Sequence, residues 1–198
     1  FAATPSSTGT RILTTVAAAL GLDIGTADFH RAFFHAPLDE EIYLIPPKEA
    51  GVPEDEIWKA EVAWYGLQKS PKWFQEFTEK TMEKLGMHQL MTESQMFTNK
   101  KTNKDLLAVY IHVDDPFFIG TKKNIREFLE KLGDHVKLKD ETILDNENSI
   151  KHLSKNYAKT RRGYRISTYA SYVRETQALM GMEDCRPVGE ITAAGAVR

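Results

Sequence analysis

Apolar residues open the chain at helical spacing: Ile12, Leu13, Val16 and Leu20 recur on one side, and Gly21 follows as a stop. This predicts a helix over about 8–20. From Leu22 to Asp28 the pattern changes to a short strand, which runs into Phe29-His30-Arg31-Ala32-Phe33-Phe34, a helical turn closed by Pro37. Residues 41–45 alternate polar and apolar like an edge strand, and Pro46-Pro47 ends it. An acidic surface loop over 48–56 and a second strand over 57–62 come next. Ser70-Pro71 then has the N-cap and N1 chemistry that starts a helix. That helix is expected to run to Leu85, with Phe74, Phe77, Thr81 and Leu85 on one face and Gly86 just past its end.

The most apolar segment, Leu106 to Val113, is separated from Phe117-Phe118-Ile119 by Asp114-Asp115-Pro116, which reads as a β-hairpin with acids at its tip. Thr121 can cap a helix whose Ile125, Phe128, Leu129 and Leu132 form a stripe stopping at Gly133. Around 149–167, Arg162-Gly163 marks a turn between two strands, and residues 168–180 have helical spacing through Tyr172, Val173 and Met180. No repeat or low-complexity linker interrupts the chain. The expectation is one α+β domain, with helices packed on one face of a small antiparallel sheet.

Composition narrows the class. With 198 residues, 41% hydrophobic and 27% charged, the chain can bury one sizeable core. No apolar run approaches the roughly 18–20 residues of a membrane helix, so no membrane partner is expected. The start lacks the features of a signal peptide and an initiating Met, which implies a piece of a longer intracellular protein, cytoplasmic or nuclear. A single cysteine, Cys185, excludes an internal disulfide framework and a cysteine-rich zinc site. The six histidines are scattered, without the i, i+4 spacing of a helical zinc motif.

The net charge of −2 argues against a strongly basic nucleic-acid binder, yet its distribution is uneven. Between Lys151 and Arg174 there is no Asp or Glu. Lys151, Lys155, Lys159, Arg161, Arg162 and Arg165 are interleaved there with Tyr157, Tyr164, Tyr169 and Tyr172. Such a tract can neutralise phosphates and stack on bases. It equally suits a solvated cationic hairpin.

The carboxylates carry the chemistry. An Asp-Asp pair is ordinary in a turn, but here it follows a strand apolar enough for the sheet centre, where paired carboxylates are costly unless a cation compensates. Asp28 ends another predicted strand. If the two strands are neighbours, Asp28, Asp114 and Asp115 converge. Hard oxygen ligands of this kind suit Mg²⁺ (or Mn²⁺), and two such ions would serve polymerase or nuclease chemistry.

Three blocks in order resemble the reverse transcriptases of copia-type retrotransposons. The first runs from Ala27-Asp28-Phe29 through Phe33-Phe34-His35-Ala36-Pro37 to Ile42-Tyr43. Its match implies that Asp28 is a metal ligand, and that Phe29 and Phe33 contact substrate, Phe33 packing against the incoming sugar. The second, Tyr65-Gly66-Leu67-Gln68-Lys69-Ser70-Pro71, is similar to a turn that touches template and nucleotide, with Gln68 and Lys69 in swapped order. The third, Tyr110-Ile111-His112-Val113-Asp114-Asp115, resembles the Tyr-x-Asp-Asp hairpin, with His112 in the place of Tyr and Pro116 following the acids.

What this resemblance implies is a polymerase palm over residues 1–198. About 38–100 would form partial fingers, and 150–198 would lead toward a thumb. Substrate contacts would come from Phe29, Phe33, Gly66, Gln68, Lys69, Ser70, Pro71 and His112. The expected partners are an RNA or DNA primer-template, deoxynucleoside triphosphates and the rest of a retroelement polyprotein. The chain begins inside the family's domain, so weak or absent primer extension by this piece alone is expected. The rival reading is an inactive retroelement fragment that binds nucleic acid or protein. Nucleotide cyclisation ranks last, for lack of a Gly-Gly-Asp/Glu-Glu-Phe signature.

Overall fold

The computed structural model describes residues 7–185. Helix α1 (Ser7–Leu20) leads into β1 (Asp23–Phe29) and a 3-10 turn at Ala32–His35. Two short strands, β2 (Tyr43–Leu44) and β3 (Trp58–Lys59), pair as an exposed ribbon. Next come α2 (Ser70–Lys84), β4 (His88–Leu90), β5 (Glu93–Thr98), β6 (Ala108–His112), β7 (Asp115–Gly120) and α3 (Lys122–Gly133). The chain continues through β8 (Leu138–Ile143), β9 (Ser149–His152), β10 (Lys155–Thr160), β11 (Gly163–Thr168) and α4 (Ala170–Leu179).

Six strands form one sheet in the order β4-β5-β6-β7-β1-β8, and all neighbours are antiparallel. A separate sheet has the order β11-β10-β9. The α+β expectation holds, with one correction. The main sheet is covered on both faces, not one. On one face Val109, Ile111 and Phe118 pack with Trp73, Phe74 and Met82 of α2 and with Ile125, Phe128 and Leu132 of α3. On the other, Tyr110, Phe117 and Ile119 pack with Leu13 and Ala17 of α1 and with Ile150 and Tyr157 of the second sheet. The cause is legible in β6, whose Ala108-Val109-Tyr110-Ile111 are all buried; a strand apolar at consecutive positions needs a cover on each side. Gly9 lets α1 lie directly on the Tyr110 ring, since a Cβ there would stand 2.4 Å from it.

Two helix expectations shift. Helix α2 buries Trp73, Phe74, Thr78, Thr81 and Met82, whereas Phe77 and Leu85 are only partly covered, so its inner face is rotated toward Trp73. Ser70 is not the cap: its buried hydroxyl donates to the Trp64 carbonyl at 2.6 Å and ties the preceding turn to the helix. The α3 cap is as expected, with Thr121 Oγ1 accepting from the Asn124 amide. Helix α4 has the predicted extent but buries nothing, so Tyr172, Val173 and Met180 lie exposed. The part of the tail from residue 186 onward lies outside the described residues.

Candidate active site

The strand order makes β1 and β7 neighbours, in register from Asp23 opposite Gly120 to Thr26 opposite Phe117. Beyond that register the Phe29 amide donates to the Asp114 carbonyl at 2.8 Å, so the end of β1 is pinned to the hairpin tip. Strands β6 and β7 are joined by Val113-Asp114, with His112 opposite Asp115. Side chains alternate across a strand, which puts Asp28, His112 and Asp115 on the α1 side of the sheet and Phe29 and Ile111 on the α2 side. So tight a turn demands a left-handed residue, and Val113 supplies it at φ 56. A β-branched side chain is strained there.

The acids sense one another. Burial pushes the Asp115 carboxyl above its ordinary value, and the charges of Asp114 and then Asp28 push it further, while His112 and Lys139 oppose them. Lys139 stands directly opposite Asp28 on β8, its Nζ 3.4 Å from Oδ2. A bulge on β8 between the partners of Thr26 and Asp28, with Asp140 at φ 53, sets that register. Hard oxygen donors under mutual repulsion are the right chemistry for a divalent cation. The three side chains do not form a closed cage: among the described residues no group of three or more His, Cys, Asp or Glu is arranged to hold a metal ion.

A second histidine lies beneath the tip. His152 of β9 is 3% exposed, and its Nε2 is 3.2 Å from the Asp115 main-chain carbonyl. Its ring packs on Phe117 at 5.1 Å between centroids. Burial holds this imidazole down to about 4, so it is neutral at physiological pH. The Nδ1 atoms of both His112 and His152 are buried without a hydrogen-bond partner among the described residues.

The other candidates are dispersed. Phe33 is half-buried, 4.7 Å from the Tyr65 ring and 5.9 Å from Phe74, and with Pro71, Gln75, Ile111 and Val113 it lines a narrow cleft beside the tip. Phe29 is 1% exposed and packs edge-on against Phe74, which leaves no surface for a substrate. Gly66 has φ 104 with open space around it, Gln68 is exposed, and Lys69 pairs with Glu40 at 2.6 Å while lying over Trp73. The basic tract is divided by strand alternation. Lys155 and Lys159 share the inner face of β10 with Tyr157, and Lys159 is anchored to Asp23 at 2.8 Å. Lys151 and Arg165 take the outer face, and Arg161-Arg162 form the tip.

Residues 4–192 match the family model described as reverse transcriptase (RNA-dependent DNA polymerase). The chain belongs to the reverse transcriptase family. It is also 24% identical over 128 residues to the retrovirus-related Pol polyprotein from transposon TNT 1-94 of Nicotiana tabacum. That alignment covers 63% of the chain and 10% of the relative, so the chain spans a small part of the polyprotein it matches. The resemblance to copia-type elements drawn from the three blocks is borne out at the level of family.

Two residues of this candidate site escaped the sequence reading. Lys139 could have been found, because Val136, Leu138 and the charged residues between and after them alternate like a strand. His152 gave no signal beyond being a histidine in a basic stretch. Only the packing of β9 against the main sheet reveals it.

Proposed function

We propose that this chain forms the palm of a reverse transcriptase, which extends a primer on an RNA or DNA template from deoxynucleoside triphosphates. The observation that carries the reading is the pinning of the β1 end to the Asp114-Asp115 tip, which brings the three acids to one end of adjacent strands and the turn between them. Asp28 and Asp115 share a sheet face, and Asp114 stands in the turn between β6 and β7. These three residues would hold two divalent ions, Mg²⁺ or Mn²⁺, with substrate phosphates completing shells that the protein leaves open. When bound, such ions supply activation of the primer 3′-hydroxyl and neutralisation of the departing pyrophosphate.

The chain's own residues then position the substrates. Phe33, held by Tyr65 and Phe74, offers a ring edge to the sugar, and the Gly66 turn leaves room for close approach of a base pair. In this reading Pro71 lines the Phe33 cleft and Gln68 and Lys69 stand just before α2, while His112 meets the site from the other face of the sheet, opposite Asp115. The partial-fingers role for 38–100 suits best the exposed β2–β3 ribbon; β9 and β10 pack on the main sheet, so of the 150–198 segment α4, which buries nothing, is the described element that suits a lead toward a thumb. Arg161, Arg162 and Arg165 are exposed and suit contact with a phosphate backbone, whereas Lys151 lies over the Tyr169 ring at 5.5 Å and Lys159 is already committed to Asp23.

The test is primer extension by the chain alone and by the chain joined to the preceding part of its polyprotein, each beside Asp114→Asn. Extension that depends on Asp114 in the longer protein is expected. If neither protein extends a primer, or if Asp114→Asn is as active as the parent, the polymerase reading falls and the non-catalytic binding reading takes its place.

A further inference from the structure

We propose that His152, a residue of the second sheet, is a positioning residue that fixes the backbone of Asp115 at the hairpin tip. The inference rests on the palm reading for its consequence, because Asp115 matters to chemistry only if it holds a metal. Its geometry stands independently.

Strand β7 has a weak point where it leaves the tip. Pro116 has no amide to give to the sheet, and the register between β1 and β7 stops at Thr26 opposite Phe117. The turn itself carries the strained Val113. A hairpin end with a missing donor and a strained residue should fray. His152 meets it at that position. A carbonyl oxygen only accepts, so the 3.2 Å contact to Asp115 makes Nε2 the protonated nitrogen of the ring. The ring is itself immobilised, between Phe117 at 5.1 Å and Tyr157 at 6.4 Å. Its strand is held in turn: β9 pairs with β10, and Lys159 of β10 is tied to Asp23 of β1. A chain of contacts thus runs from the base of β1 through the second sheet and back to the carboxylate end of β7. Near neighbours that bear charge are Asp115 and His112 on the main sheet and Lys155 opposite His152 on β10.

Packing and hydrogen bonding can be separated by substitution. His152→Phe keeps an aromatic ring between Phe117 and Tyr157 but removes the donor. His152→Gln carries an amide nitrogen at about the reach of Nε2 and keeps the donor. Two readouts on the full chain suffice: amide hydrogen exchange over residues 112–117 and Mn²⁺ affinity by electron paramagnetic resonance. Losing one hydrogen bond at a site already short of one should speed tip exchange by roughly five- to tenfold in His152→Phe. Mn²⁺ binding should weaken by a similar factor, and His152→Gln should recover most of both. Unchanged exchange in His152→Phe, or Gln behaving like Phe, overturns the proposal, as does parent-like Mn²⁺ affinity in His152→Phe. If the parent itself binds no Mn²⁺ near Asp115, the metal reading fails, and the exchange pattern alone then decides the role of His152.

Discussion

Replacing Lys139 by Met keeps most of its aliphatic stem and removes one positive charge from beside the three acids. At 3.4 Å, the Lys139–Asp28 attraction is about 1.2 kcal/mol in a water-like medium and about 5 kcal/mol at an effective dielectric near 20. The two side chains retain 48% and 28% of their exposure, so the water-like end applies, and screening reduces the loss to about 0.5–1 kcal/mol. Urea unfolding at pH 7 without divalent ions should show that loss. The same measurement in about 1 M KCl, where charges are screened beyond roughly 3 Å, should show much less. Lys139 also competes with any cation bound between the acids, so the variant should bind Mg²⁺ about fivefold more tightly, as 1 kcal/mol implies. At ten times its dissociation constant, Mg²⁺ should then stabilise the fold by about 1.4 kcal/mol and offset the substitution. An equal loss at low and high salt would mean that the Lys139 stem, not its charge, supports β8. An unchanged Mg²⁺ midpoint would remove the acids as its binding site.

Three further outcomes follow from the same geometry. The Asp115 carboxyl is raised by burial and by Asp114 and Asp28, so its stabilising contribution is present below its ordinary value of 3.8 and lost as pH rises through the folded value; Asp115→Asn should therefore raise stability at pH 7 by about 0.5–1 kcal/mol in chelator, while abolishing Mn²⁺ binding. For His152 the direction is opposite in acid: with a folded value of about 4 against 6.5, the unfolded chain takes up the proton first, and stability should fall by up to about 3 kcal/mol between pH 6.5 and 4. That slope should vanish in His152→Gln, as equilibrium unfolding across this window would show. At Val113, left-handed geometry costs a branched side chain about 1–2 kcal/mol, against about 0.5–1 kcal/mol of chain entropy for glycine, so Val113→Gly should be more stable by roughly 0.5–1 kcal/mol; a loss instead would show that packing of Val113 in the Phe33 cleft outweighs the strain.

Much of the fold was legible because its elements obey local rules. The α3 stripe and its Thr121 cap, the acid-tipped hairpin and the turn marked by Arg162-Gly163 each follow from a few adjacent residues. Strands β4, β5 and β8 were not read, and the reason is physical. Each lies at or next to an edge of the sheet, where one side of the strand is wet and the hydrophobic pattern thins; β8 buries none of its residues fully. The site divides along the same line. Asp28, Asp114 and Asp115 could be named from strand ends and their resemblance, but Lys139 and His152 act through pairing between elements that are far apart in the chain. The basic tract shows the converse error, since six cations close together in sequence become two faces and a tip once the strands alternate.

The hairpin tip concentrates features that oppose folding: repelling carboxylates, a branched residue at positive φ, and a proline in a central strand. Each would be eroded by substitutions that stabilise the chain, unless the tip serves something beyond the fold. The surrounding structure spends contacts to hold it. Lys139 reaches in from β8, His152 rises from β9, and Phe29 bonds across from β1, which lies more than a hundred residues before the other two. A purely structural turn needs no such bracing, because Asn or Gly in place of Val113 would relieve it locally. The support is directed at the acids, one contact to each: Lys139 to Asp28, Phe29 to Asp114 and His152 to Asp115. That concentration is the physical argument for a working site, and Asp115, whose carboxyl burial and repulsion raise, is where the cost of keeping it is visible.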